Sequence, residues 1–394
     1  MRILCVFGQH NYGDRSRGEG VEYTHFLPAL RALGHEVFFF ESFARDGYAD
    51  FAALNRALLT RVEQVQPDLV FTVLMIAEVW IETIALMRRA GCVVLNWSTD
   101  DSWKYRQFSR LIAADFDLYA TTCPDAPPWY ARDGIANVHL TQWAASASWL
   151  AAPRPAGECR FPVSFVGSAY GGRPARVAAL RQAGIEVECF GHGWPNGPVP
   201  AERIPQIIRD SVLSLNFSEA GGGSGQQIKA RLFEVPAAGG MLLTEATPHL
   251  EEYFVPGEEV VQFGDDADLV ESARRLLADP ARRDAIARAG HARVARQHTY
   301  DLRLAELLAR VRVPAPAPRE VDWPAFEHIA RSHPPGPGLR ALRAVLLVPC
   351  TLLWGAQRGP RAARRALFEV SWRLFGRRTY TSAGWPGRLF YRES

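Results

Sequence analysis

The sequence predicts an α/β fold with two doubly wound parallel-sheet units and a basic helical extension at the C-terminus. Short apolar runs alternate with amphipathic helical segments through most of the chain, which is typical of a parallel sheet flanked by helices. The alternation restarts once, after the Pro/Ala-rich stretch AAPRPAGE. A length of 394 residues also suits two domains with an appendage.

The first predicted domain, residues 1–155, contains six apolar runs with the length of strands. These are RILCVF, HEVFFFE, DLVFTVLM, CVVLNWS, FDLYATT and VHLTQWA. The segments VEYTHFLPALRALG, FAALNRALLTRVEQVQ and VWIETIALMRRAG between them have helical spacing. The first of these helices ends at Gly34, a favourable residue for a helix C-cap.

The second predicted domain, residues 156–311, repeats the pattern with five further strand-like runs. These are FPVSFVGS, IEVECFG, VLSLNFS, GMLLTE and EEVVQF. RPARVAALRQAG and VPAERIPQIIRDS are helical, as is the long polar stretch that begins at DADLVESARR. Residues 312–338 form a predicted Pro-rich linker, and residues 339–394 a basic amphipathic tail.

Composition indicates a soluble, cytosolic protein. The chain is 48% hydrophobic and 22% charged, and its six cysteines form no C-x-x-C pair or cluster with histidines. We therefore interpret them as reduced packing residues and expect no metal site. The first strand begins directly after Met1, so we expect no secretory signal. No uncharged apolar run reaches the roughly 18 residues that a membrane-spanning helix needs.

Ligands of open α/β sheets bind at the carboxyl ends of the strands. In the second domain, all four loops at this edge carry glycine or small polar residues: VGSAYGGR, FGHGWPNG, NFSEAGGGSGQQ and LLTEATPHL. The run GGGSG lacks the Gly-Lys-Ser/Thr ending of a triphosphate loop, and it is not the dinucleotide fingerprint. The alternative is a mobile surface loop.

The stretch GGGSGQQIKARLFEVPAAGG, residues 221–240, combines this loop with one of only two lysines in the chain. Backbone N–H groups at a helix start attract a diphosphate, and Lys229 in the first turn would add a full charge. Glu234 follows an apolar helix face, where a carboxylate could accept from both hydroxyls of a ribose; the alternative is an ordinary solvated glutamate. Arg231 pairs with either a phosphate or an acid.

The loop FGHGWPNG offers a second type of contact. His192, Gly193 and Trp194 supply backbone edges and an aromatic ring that can hold a planar base. A tight loop packed by Trp194 explains the same residues equally well.

These segments resemble a known family. QIKARLFEVPAAGGMLLTE, LEEYFVPGEEVVQF and RQHTY resemble the C-terminal half of GT-B glycosyltransferases, particularly the branch of spore-maturation CgeB-like proteins. NWSTDDSWKY, SFVGSAYGGR and FGHGWPNG resemble that branch too, so the resemblance covers residues 96–300. It implies two Rossmann-like domains facing a cleft, with a nucleoside-diphosphate sugar on the second and an acceptor on the first. It also implies a metal-independent reaction without a cofactor.

The resemblance assigns roles to individual residues of the second domain. Many relatives carry two spaced glutamates, of which the second, near the donor ribose, matches Glu234. The first falls on Gln226, which keeps a hydrogen-bonding group but loses the charge, so no anomeric stereochemistry is implied. Lys229 corresponds to the basic residue near the diphosphate. The first loop of the donor domain, which faces the phosphates, contributes Gly167, Ser168 and Arg173.

Glycosyl transfer also needs a base for the acceptor hydroxyl, unless the enzyme retains the anomeric configuration. Candidates in the first domain are His10 and Asp14 after the first strand, and Asp100 and Asp101 after the fourth. Adjacent carboxylates can shift each other's pKa, which favours the aspartate pair. Asp100 could equally cap the helix that begins near Trp103.

The basic charge is concentrated at the C-terminus. Residues 319–394 contain 13 arginines and 5 acidic residues, whereas the whole chain has a net charge of +3. Apolar residues alternate with arginines in the second half of the tail, which suits a helix on an anionic membrane surface. The alternative is a helix pair packed on the body. No nucleic-acid-binding module accompanies the arginines, so we expect no nucleic-acid partner.

The sequence therefore predicts a cytosolic GT-B glycosyltransferase of hexosyltransferase type, peripheral on the inner face of a membrane. Membrane contact would fit a lipid-linked acceptor or a surface glycan, as in polysaccharide biosynthesis. Two alternatives stay open: a nucleotide-sugar epimerase of the same fold, and a non-catalytic member that binds a sugar nucleotide or a partner protein.

Overall fold

The structure is a computed structural model that describes residues 1–219, 225–312, 315 and 317–394. It divides into two compact units. The first unit comprises Met1–Thr121, Asp125–Leu140 and Leu308–Ser394, and the second comprises Thr122–Pro124 and Thr141–Leu307. Residues 141–155, assigned by sequence to the first domain, thus fall in the second unit. Residues 308–394 fall in the first unit because they pack on its helices.

The first unit contains a six-stranded parallel sheet in the order β2-β1-β3-β4-β5-β6. Its strands are β1 Arg2–Phe7, β2 Glu36–Glu41, β3 Leu69–Thr72, β4 Val93–Ser98, β5 Leu118–Thr121 and β6 Val138–Leu140. Cys5 lies opposite Phe39 on one side and Phe71 on the other. Strands β1, β3 and β4 are almost completely buried, which explains why they appear in the sequence as continuous apolar runs.

Helices flank this sheet. They are α1 Leu27–Ala32, α2 Phe51–Val65, α3 Ile81–Arg89, α4 Asp101–Lys104, α5 Arg110–Ile112 and α6 Ala126–Arg132. A π-helical segment, Glu22–Phe26, leads into α1, and another, Tyr105–Ser109, joins α4 to α5. The Asp50 side chain caps α2 by accepting from the Ala53 N–H at 2.8 Å.

The second unit contains a five-stranded parallel sheet in the order β11-β10-β9-β7-β8. Its strands are β7 Phe161–Val166, β8 Val187–Phe190, β9 Ser211–Asn216, β10 Leu242–Glu245 and β11 Val261–Phe263. Its helices are α7 Arg173–Gln182, α8 Ile204–Arg209, α9 Arg231–Ala237, α10 Asp266–Ala278, α11 Pro280–Gln297 and α12 Tyr300–Leu308. All eleven strands predicted from sequence are confirmed.

In each sheet, the direction in which successive strands are added reverses at one point. This point lies between β1 and β3 in the first unit and between β7 and β9 in the second. In doubly wound folds, ligands bind at the carboxyl ends of the two strands that flank such a switch point. The loops that follow β7 and β9 are therefore where a ligand of the second unit should bind.

The tail returns to the first unit as helices α13 Trp323–Ala330, α14 Pro337–Phe375 and α15 Trp385–Leu389. Helix α14 is broken at Gly355, whose φ of 77° and ψ of 171° are not helical. Beyond the break, Gly359 packs against the backbone of Thr351, where a Cβ on Gly359 would lie 2.5 Å from the Thr351 Cα. The helix therefore folds back as a hairpin, with a first arm at 337–354 and a second arm at 356–375.

The hairpin and the segment after it are held on the first unit by polar contacts. Tyr380 donates a hydrogen bond to the Gln107 carbonyl, and Arg377 pairs with Asp115. The Ser382 N–H lies 3.2 Å from Glu82 Oε1. One face of the tail is thus packed on the body, as one of the two sequence alternatives proposed.

Candidate functional site

The loops after β7 and β8 are in close contact at Gly167 and Gly191. Gly191 has a φ of 132°, and a Cβ there would collide with the Gly167 carbonyl. The Gly167 N–H donates to the Phe190 carbonyl at 2.8 Å, and the Gly167 carbonyl accepts from the Trp194 indole at 2.8 Å. The backbone at Gly167 is therefore held rigidly at the end of β7.

Arg173, the first residue of α7, lies beneath this loop and is 7% exposed. Its Nη1 donates to the Ser168 carbonyl at 3.0 Å, and its Nη2 donates to the Tyr170 hydroxyl at 2.7 Å. Its Nε finds no partner among the described residues, and burial lowers the pKa of Arg173 from its usual value. A poorly solvated cation with a spare donor is suited to an anionic ligand.

Lys229 approaches the same tyrosine from the loop after β9. Its Nζ donates to the Glu219 carbonyl and lies 3.3 Å from the Tyr170 hydroxyl. The sequence predicts Lys229 in the first turn of a helix, whereas α9 begins at Arg231, after a turn at Ala230. The lysine therefore projects from the loop itself.

The glycine run that precedes Lys229 falls largely outside the described residues, which end at Glu219 and resume at Gly225. Where the chain resumes, Gly225 has a φ of 88°. Gln226 is exposed and forms a β-bridge with Glu219. The Glu219 carboxylate in turn accepts from the Gly172 N–H at 3.2 Å, which links this loop to the one after β7.

Glu234 lies inside α9 and is 4% exposed, so it is not an ordinary solvated glutamate. Its Oε2 lies 3.0 Å from Nη1 of Arg231, one turn earlier. Arg231 therefore pairs with an acid, one of the two alternatives given for it. A buried carboxylate is stable only when it is paired in this way. The role of Glu234 towards a ribose stays a prediction.

Three residues of this site were not identified from the sequence. Tyr170 is contacted by both Arg173 and Lys229, as described above. Arg176, one turn further along α7, lies 2.7 Å from Glu245 at the end of β10. The Ser218 N–H donates to the other oxygen of Glu245 at 2.9 Å. The position of Glu245 at the last residue of a strand was the one sequence feature that could have indicated it.

In the loop FGHGWPNG, the contacts of Trp194 favour a packing role for its ring over a role in stacking on a base. Trp194 is half-buried and meets Phe165 edge-on, with ring centres 6.0 Å apart. His192 and Gly193 are exposed, and the His192 carbonyl accepts from the Ala169 N–H at 2.8 Å. The Trp194 ring is therefore engaged by the core, as the second sequence alternative proposed.

In the first unit, Asp101 is buried and completely satisfied. Its Oδ1 accepts from the hydroxyls of Ser98, at 2.6 Å, and Ser109, and its Oδ2 accepts from Thr121 at 2.5 Å and Tyr130 at 2.8 Å. Four hydroxyl donors leave little capacity to take a proton from an acceptor. This arrangement favours a structural role over the predicted role as catalytic base.

Asp100, its neighbour, is more accessible. It lies 3.1 Å from Lys104 Nζ, and it accepts from the Trp103 indole at 3.2 Å. Asp100 occupies the N-cap position of α4, but its side chain makes no capping hydrogen bond. The helix-capping alternative therefore does not explain this carboxylate.

The loop after β1 supplies the remaining candidates. The Nδ1 of His10 is buried without a hydrogen-bond partner among the described residues. Asp14 is exposed, and hydrogen bonds from Ser16 lower its pKa, which makes it a poor base. Glu22, which the sequence analysis did not single out, has its pKa raised by burial, and the negative charge of Asp100 adds to that shift. A carboxyl with a raised pKa is a better proton acceptor at neutral pH.

A cavity of about 510 Å³ opens in the same unit. Its lining combines aromatic rings with cations: Trp103, Tyr105, Trp129, Arg106, Arg110 and Arg132. Asp101, Ser102 and Asp133 complete the wall. Within the described residues, no three His, Cys, Asp or Glu side chains form a group that could hold a metal ion.

Part of the chain, mostly within the second unit, is similar to a known protein family. Residues 173–309 match a family model described as glycosyl transferase-like. No curated protein sequence matches the chain.

Solved structures share the fold across most of the chain. Sucrose-phosphate synthase from Thermosynechococcus elongatus superposes with a TM-score of 0.57 at 14% identity, covering 79% of this chain and 99% of its own. Anabaena Alr3699/HepE in complex with UDP gives a TM-score of 0.56 at 13% identity, with 79% and 100% covered. A glycosyltransferase from Rickettsia africae gives 0.57 at 9% identity, with 78% and 97% covered. The chain therefore has the GT-B fold of these proteins.

Proposed function

We propose that this protein is a glycosyltransferase that transfers a hexose from a nucleoside-diphosphate sugar to an acceptor. The observation that carries the proposal is the contact of Arg173 and Lys229 with one tyrosine at the switch point of the second unit. Arg173 is the first residue of the segment that matches the glycosyl transferase-like model, and Lys229 lies within that segment. The motifs quoted above further favour the CgeB-like branch.

The chemistry required at this point is stabilisation of a leaving diphosphate. Negative charge grows on the diphosphate as the bond to the sugar breaks, and fixed cations lower the barrier by meeting that charge. Arg173 is held by Ser168 and Tyr170, and Lys229 by Tyr170 and Glu219, so neither has to reorganise during the reaction. Two positioned side-chain cations support the proposal of a metal-independent reaction.

A uridine nucleotide is the first donor to test. The solved complexes of Anabaena HepE contain UDP, UDP with glucose, and UDP-glucose. This supports, for the present chain, a UDP-sugar bound at the carboxyl ends of β7 and β9. Glu234 is proposed to accept hydrogen bonds from the ribose hydroxyls.

We place the acceptor on the first unit. The 510 Å³ cavity carries aromatic faces and arginines, a lining suited to a sugar that bears acidic groups. Glu22, whose pKa is raised by burial and by the charge of Asp100, is proposed as the base, because a raised pKa suits that task. His10 and Asp100 are the other proposed candidates. A lipid-linked or surface-glycan acceptor fits the exposed apolar hairpin described below.

The test is a panel of nucleoside-diphosphate sugars, with binding measured by calorimetry and turnover by nucleotide release. We expect micromolar to millimolar binding of at least one donor, and loss of that binding in Arg173→Gln. The Arg296→Gln variant is the matched control because Arg296 is exposed at the end of α11.

The same panel separates the rival functions. NMR can detect epimerisation of the donor sugar in the absence of an acceptor. That result would favour a nucleotide-sugar epimerase over a transferase. Tight donor binding without any turnover across an acceptor library would favour a non-catalytic binding protein. Binding of no nucleotide sugar at all would overturn the proposal.

A further inference from the structure

The helical hairpin exposes an unusual amount of apolar surface. Its first arm and turn expose Val345 by 67%, Leu352 by 82%, Leu353 by 72% and Trp354 by 53%. The remaining large apolar side chains that it exposes are Val348, Val370, Leu374 and Phe375. We call these eight residues the hairpin surface. The solvent-facing side of a helix in a soluble domain is normally polar. Contact with water alone therefore does not account for so many exposed apolar side chains.

The opposite side of the first arm already has a packing partner. Leu342, Leu346 and Cys350 pack against a buried cluster that includes Leu367 and Phe390. The first arm is therefore apolar on both its packed and its exposed sides. A core-facing role accounts for the packed side only, and something else must cover the hairpin surface.

Charge on the hairpin indicates what that partner is. Residues 337–380 contain nine arginines and a single acidic residue, Glu369. Arg340 of the first arm and Arg358, Arg361 and Arg365 of the second arm are exposed. Cations beside exposed apolar side chains are the pattern of a helix that lies at an anionic lipid surface.

Geometry excludes a simple crossing of the bilayer. By length and composition, the helix at Pro337–Tyr380 could span a membrane, and no residue of its most apolar window is fully buried. Its longest uncharged stretch, however, covers residues 344–357, about 21 Å of helix, whereas the hydrocarbon core is about 30 Å thick. The break at Gly355 then turns the chain back. Such a segment suits insertion into one leaflet.

We propose that the hairpin docks the first unit on an anionic bilayer, with Leu352, Leu353 and Trp354 at its turn inserted among the lipid headgroups and acyl chains. The arginines of the second arm then contact the phosphates of the same leaflet. This inference concerns where the protein resides and does not depend on the glycosyl-transfer proposal.

Flotation of the full chain on vesicles tests the proposal. The vesicles are phosphatidylcholine alone or phosphatidylcholine with phosphatidylglycerol. The variants are L352E/L353E, which removes apolar insertion, and R358Q/R361Q/R365Q, which removes charge. The control is V255E/L302E, because Val255 and Leu302 of the second unit are 40% and 45% exposed. All seven mutated positions are solvent-exposed, so we expect the variants to fold, and circular dichroism checks this.

We expect the wild type and the control to float with the anionic vesicles, and each hairpin variant to partition at least tenfold more weakly. Failure of the wild type to float, or equal flotation of the hairpin variants, would overturn the proposal. So would a lipid-free dimer that L352E/L353E converts to a monomer, because a second copy would then cover the surface. Donor binding by calorimetry should be unchanged in every variant, which keeps this test separate from that of the catalytic function.

Discussion

The guanidinium carbon of Arg173 lies 3.9 Å from the centre of the Tyr170 ring, and the hydroxyl of that ring is contacted by Arg173 and by Lys229. Tyr170 thus holds a cation from α7 next to a cation from the loop after β9. Two cations brought together repel each other, so the arrangement is most stable when an anion lies between or above them.

Replacement of Lys229 should affect turnover more than folding. The Lys229→Met variant is expected to lower kcat by about 10²–10³-fold, the usual cost of losing one donor to a developing negative charge. Nucleotide release under saturating donor measures this. The Arg296→Met variant, which removes an exposed cation from α11, is the control. A Lys229→Met enzyme with wild-type kcat would remove the lysine from the proposed mechanism.

Glu234 should affect both donor affinity and stability. The Glu234→Gln variant retains the shape of the side chain but leaves Arg231 without its carboxylate partner. We expect donor affinity to fall at least tenfold, because a hydrogen bond to a charged group contributes about 1.5–3 kcal/mol. Calorimetry measures affinity, and urea unfolding measures stability.

A second variant separates these two effects. Combining Arg231→Met with Glu234→Gln removes both members of the pair, so part of the lost stability should return while donor affinity stays low. Recovery of donor affinity in the double variant would show that Glu234 acts only through Arg231.

The two adjacent aspartates should behave oppositely. Asp101→Asn replaces a buried acceptor of four hydroxyl hydrogen bonds, so the free energy of unfolding should fall by about 2–4 kcal/mol. Asp100→Asn should leave unfolding nearly unchanged and reduce kcat if Asp100 assists the base. Unfolding in urea and initial rates measure the two effects. A stable Asp101→Asn variant without activity would restore Asp101 as the catalytic base.

The pH dependence of turnover should reflect Glu22. Burial raises the pKa of Glu22, and the base must be deprotonated to act, so kcat should fall as pH decreases through that raised pKa. The acid limb should therefore lie above the ordinary value of about 4.3 for glutamate. Glu22→Gln should lower the rate and remove this limb. An unchanged profile in Glu22→Gln would assign the limb to another group.

Stability at mildly acidic pH should depend on His298. Burial, together with the nearby charge of Arg303, lowers the pKa of His298 to about 4. Its Nδ1 accepts from Arg303 at 2.9 Å, so the neutral ring carries its proton on Nε2, 3.1 Å from the Tyr253 carbonyl. The unfolded chain binds this proton near pH 6.5 and the folded chain only near pH 4. Stability is therefore fully present above pH 6.5 and is lost as pH falls through this window.

The expected loss is about 2 kcal/mol between pH 7.5 and 5, from the linkage of the two pKa values. Urea unfolding at a series of pH values measures it. The His298→Gln variant should be less stable at pH 7.5 but should lose less stability on acidification. Parallel curves for the two proteins would show that other groups control the acid response.

Local patterns predicted the strands and part of the site, whereas long-range pairings were missed. Lys229 is recognisable in the sequence because lysine is rare in this chain, and Glu234 because it directly follows apolar residues. Tyr170 and Glu245 are not recognisable in this way, because Lys229 and Arg176, which contact them, follow other strands. The four hydroxyls around Asp101 lie between residues 98 and 130, so no short window of sequence shows that this carboxylate is satisfied.

The tail shows the same limit. Its amphipathic second half was apparent from the spacing of arginines and apolar residues. The fold-back at Gly355 was not apparent, because a single glycine in an apolar helical pattern does not determine whether the helix continues or breaks. Here the break is accompanied by the close contact of Gly359 with Thr351. The chain conformation there is decided by the contact between the two arms.

The return of the tail to the first unit has a consequence for biosynthesis. Trp80 is buried beside the rings of Phe326 and His333, and Arg45 donates to the carbonyl of Ser394, 349 positions along the chain. The second unit draws on an almost continuous segment, which can fold as it leaves the ribosome. The first unit, although its first strands are translated before the second unit, also needs residues 308–394, which follow the second unit in the chain. We therefore expect the first unit to be completed after the second.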